Sequence, residues 1–334
     1  HDALPICLHD VAVVREAVEQ GGCHLGVAED AAPFREGEVG GDHHARSLVE
    51  LGEQVEQHRA ARLRDQIESF EKASEIKDIH ERHKELTFAV VGGGATGVEL
   101  VSEISELFTN TFAKYYHNQI SRSDVSLYLI NRGPEVLAPF HPKLRTHALE
   151  VLKRSGVNVV TNSAVKEVTE SGIIFGDDTT LPVKHVIWTA GVKPNAPLFT
   201  RQVDLDHAGR IIVNSSLQMS QSPNIFVLGD MASVAGADGK PLPMLAQIAV
   251  REGLHTGHNI KRLLHGKELL PFTYTSQGEL ASLGQWNAVA NIRGIRFSGA
   301  FAWFLWRTIY LFKFLSDSKK VKIVVDWTMN IFYP

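Results

Sequence analysis

Two cysteines, Cys7 and Cys23, are all that the 334-residue sequence contains. They cannot build a disulfide framework, and no Cys/His set stands at metal-ligand spacing. The pair His43-His44 has no partner ligands nearby, so no metal is expected. So few thiols fit a reducing compartment. Basic excess is absent too: 34 Lys and Arg face 38 Asp and Glu, for a net charge of −4. That balance excludes a general nucleic-acid binder. The first residues, HDALPICLHD, lack a basic start and a long apolar run, so they are not a signal peptide. They also lack a methionine, which is read as the mark of a partial or misassembled frame. What remains is ordinary globular composition, 44% hydrophobic and 22% charged. The length leaves room for two or three domains.

The chain is organised around Thr87 to Glu103, TFAVVGGGATGVELVSE. A short β-branched run breaks into Gly92-Gly93-Gly94-Ala95-Thr96-Gly97, and a helix-like run follows at once. This is strand, glycine turn and helix N-terminus, with G-x-G-x-x-G in frame. Gly92 permits the tight turn, Gly94 lets a pyrophosphate approach the backbone, and Gly97 lets the helix pack close to the strand. The helix start then offers free N–H groups and a positive dipole end to phosphates. The plain alternative is a glycine turn that binds nothing.

Residues 1–60 carry no clean helical or strand period before Leu48, and an irregular leader is expected. Cys23 stands where a second fingerprint around Gly21, Gly22 and Gly26 would need glycine. Residues 61–83 read as a charged connecting helix. Residues 84–193 follow as a nucleotide-binding domain. Its helix is expected to run to about His117, and its second strand, Val125 to Ile130, ends at Asn131-Arg132. An Asp or Glu usually stands there to bind a ribose hydroxyl. Asn131 can still bond hydroxyls, and Arg132 can attract a 2′-phosphate, so NADH and NADPH both stay open.

Three short β runs, at 164–168, 172–175 and 181–188, are separated by hairpin turn signals. The last is one continuous strand that delivers Thr189-Ala190-Gly191 to its carboxyl end. After Pro194, NIFVLGDMASV gives a strand ending at Gly229-Asp230. There a small residue permits close approach, and a carboxylate can accept from polyol hydroxyls. The alternative is an Asp helix cap. A helix then starts near Ala246-Gln247 and runs to about Leu264. Residues 297–315, FSGAFAWFLWRTIYLFKFL, are about one bilayer thickness long as a helix, which needs roughly 20 residues. Arg307 at its centre disfavours spanning. With Lys319, Lys320 and Lys322 beyond it, the segment reads as amphipathic helices lying in a membrane interface. The alternative is a core helix or a dimer interface.

GGGATGVE, WTAGV, a strand ending in GD, an AQ helix start and the aromatic tail together resemble the type II NADH:quinone oxidoreductases, over about residues 61–334. The resemblance implies an α/β fold: a Rossmann-type βαβ NADH domain with a β-hairpin layer, a flavin domain at 194–290, and C-terminal amphipathic helices at 291–334. It implies FAD and NADH as cofactors. Gly92, Gly94 and Gly97, with Gly93 and Thr96 in the same turn, would bind NADH, joined by Asn131. Glu99 would lie near nicotinamide and flavin, and Ala190, Gly191 and Val192 would approach both. Gly229 and Asp230 would hold the flavin ribityl chain. Ala246 and Gln247 would sit beside flavin and quinone, with Glu99 and Gln247 as catalytic residues. The family commonly has a second Gln where Arg251 stands. The implied reaction passes hydride from NADH to flavin, then two electrons to a membrane quinone, at the cytoplasmic face of the cell membrane as a peripheral protein. A homodimer stays open.

The family also begins with its own fingerprint for the FAD pyrophosphate, and residues 1–60 do not supply one. They resemble an unrelated translation fused upstream, which would leave the flavin domain incomplete. The rival readings are a non-catalytic nucleotide-binding remnant and a ferredoxin- or rubredoxin-type reductase. A disulfide reductase would need a redox cysteine pair, and Cys7 and Cys23 are too far apart in sequence.

Overall fold

Thr87 to Val91 form β1, and all five residues are buried. A strand buried on both faces reads as an unbroken apolar run, as TFAVV does, and belongs at the centre of a parallel sheet. A computed structural model, which describes residues 71–112, 120–194, 203–313 and the short stretches 320–321 and 324–325, places it there. The expected leader, both cysteines, His43, His44 and most of the lysine-rich tail lie outside the described residues. The chain divides into two units. Of the described residues, those from 71 to Ala190 together with 278 onward form one, and those from Gly191 to Gln277 form the other.

In the first unit β1 pairs in parallel with β2 (Ser126–Ile130), and β2 with β3 (Val157–Val160). A later strand, β7 (His185–Trp188), pairs with the other edge of β1, giving the order β3-β2-β1-β7. Helix α1 (Ile79–Glu85) precedes β1; its N-cap Asp78 accepts from His80 and Glu81 N–H groups, as a capping carboxylate should. Helix α2 (Ala95–Glu106) joins β1 towards β2, and α3 (Pro142–Arg154) joins β2 to β3. The expected single long helix to about His117 changes character at Leu107, where a π-helical segment, Leu107–Phe112, takes over.

Alternation along the strands sorts side chains between two layers. Phe88, Val90, Leu127 and Leu129 face Val98, Val101 and Ile104 of α2 and Leu144, Ala148 and Leu152 of α3. Ala89, Val91 and Ile130 face the hairpin layer through Ile173 and Val183. That layer is antiparallel: β4 (Val165–Thr169), β5 (Gly172–Phe175) and β6 (Thr180–Pro182). The run expected as one strand at 181–188 is therefore two. It leaves the hairpin at Pro182, whose missing N–H cannot serve a ladder, and re-enters the parallel sheet as β7.

The second unit is built from small pairings: β8 (Ile211–Ile212), β9 (Gln218–Met219), β10 (Ser222–Phe226) and β11 (Ala232–Ser233), followed by the 19-residue helix α4 (Ala246–Leu264). Ile211, Leu217, Met219, Val227 and Ile248 form its core.

Residues 278 onward return to the first unit as a meander, β12 (Gly278–Ser282), β13 (Ala288–Ile292) and β14 (Ile295–Ser298), followed by α5 (Ala300–Lys313). One face of the meander joins the α2 core through Ala281, Leu283 and Val289. The other buries Trp303 and Trp306 of α5 against Ala288 and Ala290. The apolar stretch expected as a helix over 297–315 starts later than expected, and its residues 314–315 lie outside the described residues. Phe297 and Ser298 belong to β14, and Gly299, at φ +76°, makes the corner. The described 14 residues of α5 span about 21 Å. Among the described residues no helix is long and apolar enough to cross a membrane.

Candidate functional site

The carboxyl ends of β1, β2 and β7 lie side by side, the edge at which open α/β sheets take ligands. The glycine turn leaves β1 there. Gly92 has φ +124°, where a side chain is strained. A Cβ on Gly97 would meet Gly92 O at 1.8 Å and Thr189 Oγ1 at 2.7 Å, so only glycine lets α2 start this close to the strand. A Cβ on Gly94 would meet nothing within 4 Å. Gly94 is exposed, serves as the N-cap of α2 and offers no side-chain cap. The turn thus presents bare backbone and a helix N-terminus to open space, the surface a pyrophosphate needs. Ala95 and Thr96 open the helix beside it, half-buried.

Asn131 ends β2 at the same edge. Its Oδ1 accepts from Gly93 N (3.1 Å), while Nδ2 donates to Gly133 O (3.1 Å) and Glu135 O (2.9 Å). The side chain therefore ties the glycine turn to the next loop, with one Oδ1 lone pair left for a ligand. A carboxylate could not donate the last two bonds. After β7, Thr189 Oγ1 donates to Val91 O (2.9 Å), and Ala190 is exposed. In the second unit Gly191, at φ +84°, and Val192 are exposed.

Glu99 lies one turn into α2, yet it is only 4% exposed. Its Oε1 accepts from Ser282 N on β12 at 2.9 Å. Burial pushes its pKa up to about 8, with the Glu103 charge adding, although Ser282 N–H and the Trp306 side chain favour the carboxylate. Glu106 is raised to about 7, and Glu103 is raised as well, both chiefly by burial. Arg307 of α5 stands over the Trp303 ring at 4.0 Å and draws Glu103 and Glu106 back towards ionisation. Burial lowers Arg307 itself to about 10.

The second unit holds a cleft lined by Arg210, Gly229, Asp230, Met244, Leu245 and Glu252, among others. Gly229 has φ +70° and donates its N–H to Glu252 Oε2 at 2.6 Å. Glu252, 2% exposed, is raised in pKa chiefly by burial, and it fixes the corner that points Gly229-Asp230 at the cleft. Arg210 forks onto Asp206 at 2.8 Å and donates to Leu242 O at 2.7 Å, holding the opposite wall. Ala246 and Gln247 follow the wall residue Leu245, which caps α4 without a side-chain bond. A carboxylate and a glycine corner suit the polyol of a flavin, and an uncapped helix start suits the negative charge its ring gains on reduction. Arg251 lies over the Tyr274 ring at 5.4 Å.

Sequence reasoning missed Glu252, Asp206–Arg210 and the Glu103–Glu106–Arg307 group. The signal for Glu252 was present: Ile248, Glu252, Thr256 and Asn259 form the buried stripe of α4, and a carboxylate within a buried stripe needs a donor.

The family model of the pyridine nucleotide-disulphide oxidoreductases matches residues 52–253, which takes in 52–60 of the expected leader. The NDH2 C-terminal domain model matches residues 276–334. The type II NADH:quinone oxidoreductase Ndh of Mycobacterium tuberculosis is 34% identical over 285 residues, covering 81% of this chain and 60% of that protein. The internal alternative NAD(P)H-ubiquinone oxidoreductase A1 of Arabidopsis thaliana is 31% identical over 294 residues, covering 81% of this chain and 56% of that protein. The chain therefore spans less than two thirds of the length of these relatives. The structure of NDH2 from Plasmodium falciparum in complex with NADH shares the fold with a TM-score of 0.71 at 17% identity, over 80% of this chain and 70% of that one. Glycine turn, parallel sheet and hairpin layer agree with the first match, and the chain belongs to the pyridine nucleotide-disulphide oxidoreductase family, with a C-terminal part that matches the NDH2 C-terminal domain.

Proposed function

We propose that this chain performs NADH:quinone oxidoreduction with FAD as its flavin. The observation that carries the reading is the bare glycine turn, with open space over Gly94 at a helix start, in a chain that also matches the NDH2 C-terminal domain. Gly92, Gly93, Gly94, Thr96 and Gly97 bind the NADH pyrophosphate. Asn131 holds the turn and offers its free lone pair to a ribose hydroxyl. Ala190, Gly191 and Val192 leave the backbone bare for the cofactors' approach. Asp230 accepts from the flavin's polyol chain, Gly229 admits it, and Ala246 and Gln247 bring the α4 N-terminus to the ring and the quinone. Bound FAD supplies the two-electron step between NADH and quinone. Glu99 holds a proton beside that chemistry at neutral pH.

The protein works at a membrane surface, at the cytoplasmic face. Phe301, Phe304 and Phe312 of α5 are 63%, 48% and 75% exposed, a set of large apolar side chains that lipid would cover. The test is purification followed by a visible spectrum. Flavin absorbance bleached by NADH and restored by a quinone supports the reading. A second reading, a nucleotide-binding chain without turnover, draws on one fact. Among the described residues a single glycine turn links a buried strand to a helix start. A colourless protein that binds NADH would establish that reading instead.

A further inference from the structure

Three residues end their strands at one level of the parallel sheet. Ile130 of β2 pairs with Val91 of β1, and Val91 pairs with Trp188 of β7. Neighbouring strands lie about 4.8 Å apart, so Trp188 stands one strand spacing from the residue that enters the glycine turn. Residues in register across a parallel ladder share a face, so all three point to the side of the hairpin layer. That layer covers two of them: Ile130 is fully buried and Val91 is 5% exposed. It does not cover the third. Trp188, the largest, is 55% exposed on the edge strand of the sheet.

The indole is nevertheless anchored. Its Nε1 donates to Ala190 O at 3.2 Å, so its polar end is satisfied by the backbone just beyond its own strand. Among the described residues no other ring stacks on it. An indole fixed at its polar end and bare on its faces is a ready surface for an electron-poor ring. The strand order says which part of a dinucleotide would meet it. Asn131 at the end of β2 lies on one side of the glycine turn, the side that takes the ribose next to the adenine. With the pyrophosphate over the turn, the nicotinamide half leaves on the opposite side, across the end of β7. A nicotinamide ring is electron-poor, and in NAD⁺ it carries a positive charge.

We propose that Trp188 is a stacking platform for the nicotinamide ring. The platform rests on the NADH-binding reading of the glycine turn given above. The indole covers one face of the ring and leaves the other for hydride to depart. It holds NAD⁺ at least as firmly as NADH, because the charged ring is drawn to the negative face of the indole.

Calorimetry on the full chain with three probes, NADH, NAD⁺ and ADP-ribose, tests this. ADP-ribose keeps the adenosine and the pyrophosphate and lacks the nicotinamide. Trp188→Ala should weaken NADH and NAD⁺ about tenfold, the usual order for one stacked aromatic ring. ADP-ribose should bind that variant within about twofold of wild type, which also reports that the turn is folded. Trp188→Phe should recover most of the affinity. Mixing NAD⁺ with the wild type should give an indole-to-pyridinium charge-transfer band, and Trp188→Phe should lose it while still binding. Equal losses for NADH and ADP-ribose in Trp188→Ala, no loss for either, or a wild type without the band would overturn the platform alone. A wild type that binds none of the three probes would overturn the NADH-binding reading of the turn, and the platform with it.

Discussion

Glycine's missing side chain does two different jobs in one turn. Gly97→Ala puts a Cβ against Gly92 O. Backbone cannot step aside, so overpacking should cost about 1–3 kcal/mol, read as a lowered midpoint in denaturant. Gly94→Ala meets nothing within 4 Å. It should fold with unchanged stability and weaken NADH binding at least tenfold in calorimetry, because its methyl enters the space over the turn. Equal stability loss in both variants would show that Gly94 is structural. Asn131→Asp separates clamp from ligand in the same way. The two donations to Gly133 O and Glu135 O vanish. Both acceptors are within reach of water, so each lost bond costs about 0.5–1.5 kcal/mol net, and the melting temperature should fall even without nucleotide. The glycines were legible because each obeys a local rule. The use of Asn131 was not, since its partners lie in separate loops.

At the scale of elements, α5 is divided between two tasks. Trp303 and Trp306 fill the outer face of the meander and are 4% and 7% exposed. Phe304 and Phe312 of the same helix are exposed. Trp306→Ala should therefore destabilise the first unit by about 3–5 kcal/mol. Phe304→Ser with Phe312→Ser should leave the unfolding midpoint near wild type and reduce sedimentation with anionic vesicles several-fold. Unchanged vesicle binding would rule out α5 as the membrane contact. Hydropathy marked 297–315 as one object because Phe297 and Ser298 adjoin the apolar run. Pairing of β14 with β13 withdraws them, and a pairing partner is invisible to a local window. The split of 181–188 into β6 and β7 has the same origin.

For the whole molecule, stability should fall at both ends of the pH scale for reasons located in different units. Burial alone would raise Asp206, but the Arg210 N–H, the Ser233 hydroxyl and the Arg210 guanidinium hold it at about 2, below the ordinary 3.8. Its contribution is complete above 3.8 and is lost as the pH falls towards 2. Asp206→Asn should flatten that acid limb. Glu99 has the opposite sign. Between 4.5 and about 8 the native chain holds a proton that the unfolded chain has released, so stability declines as pH rises through that window. Glu99→Gln should remove part of this slope and be more stable than wild type above about pH 8, as urea midpoints across pH would reveal. By itself the sequence determined the βαβ unit, its glycine turn, the hairpin signals and the Gly229-Asp230 corner, because each is encoded by neighbours within a few residues. Only the tertiary structure decided that residues 278–313 fold back onto the nucleotide unit. It alone set Ser282 and Arg307 against a helix about 180–200 residues earlier in the chain. Charge pairing and burial at that separation depend on which surfaces meet, and local sequence does not specify that.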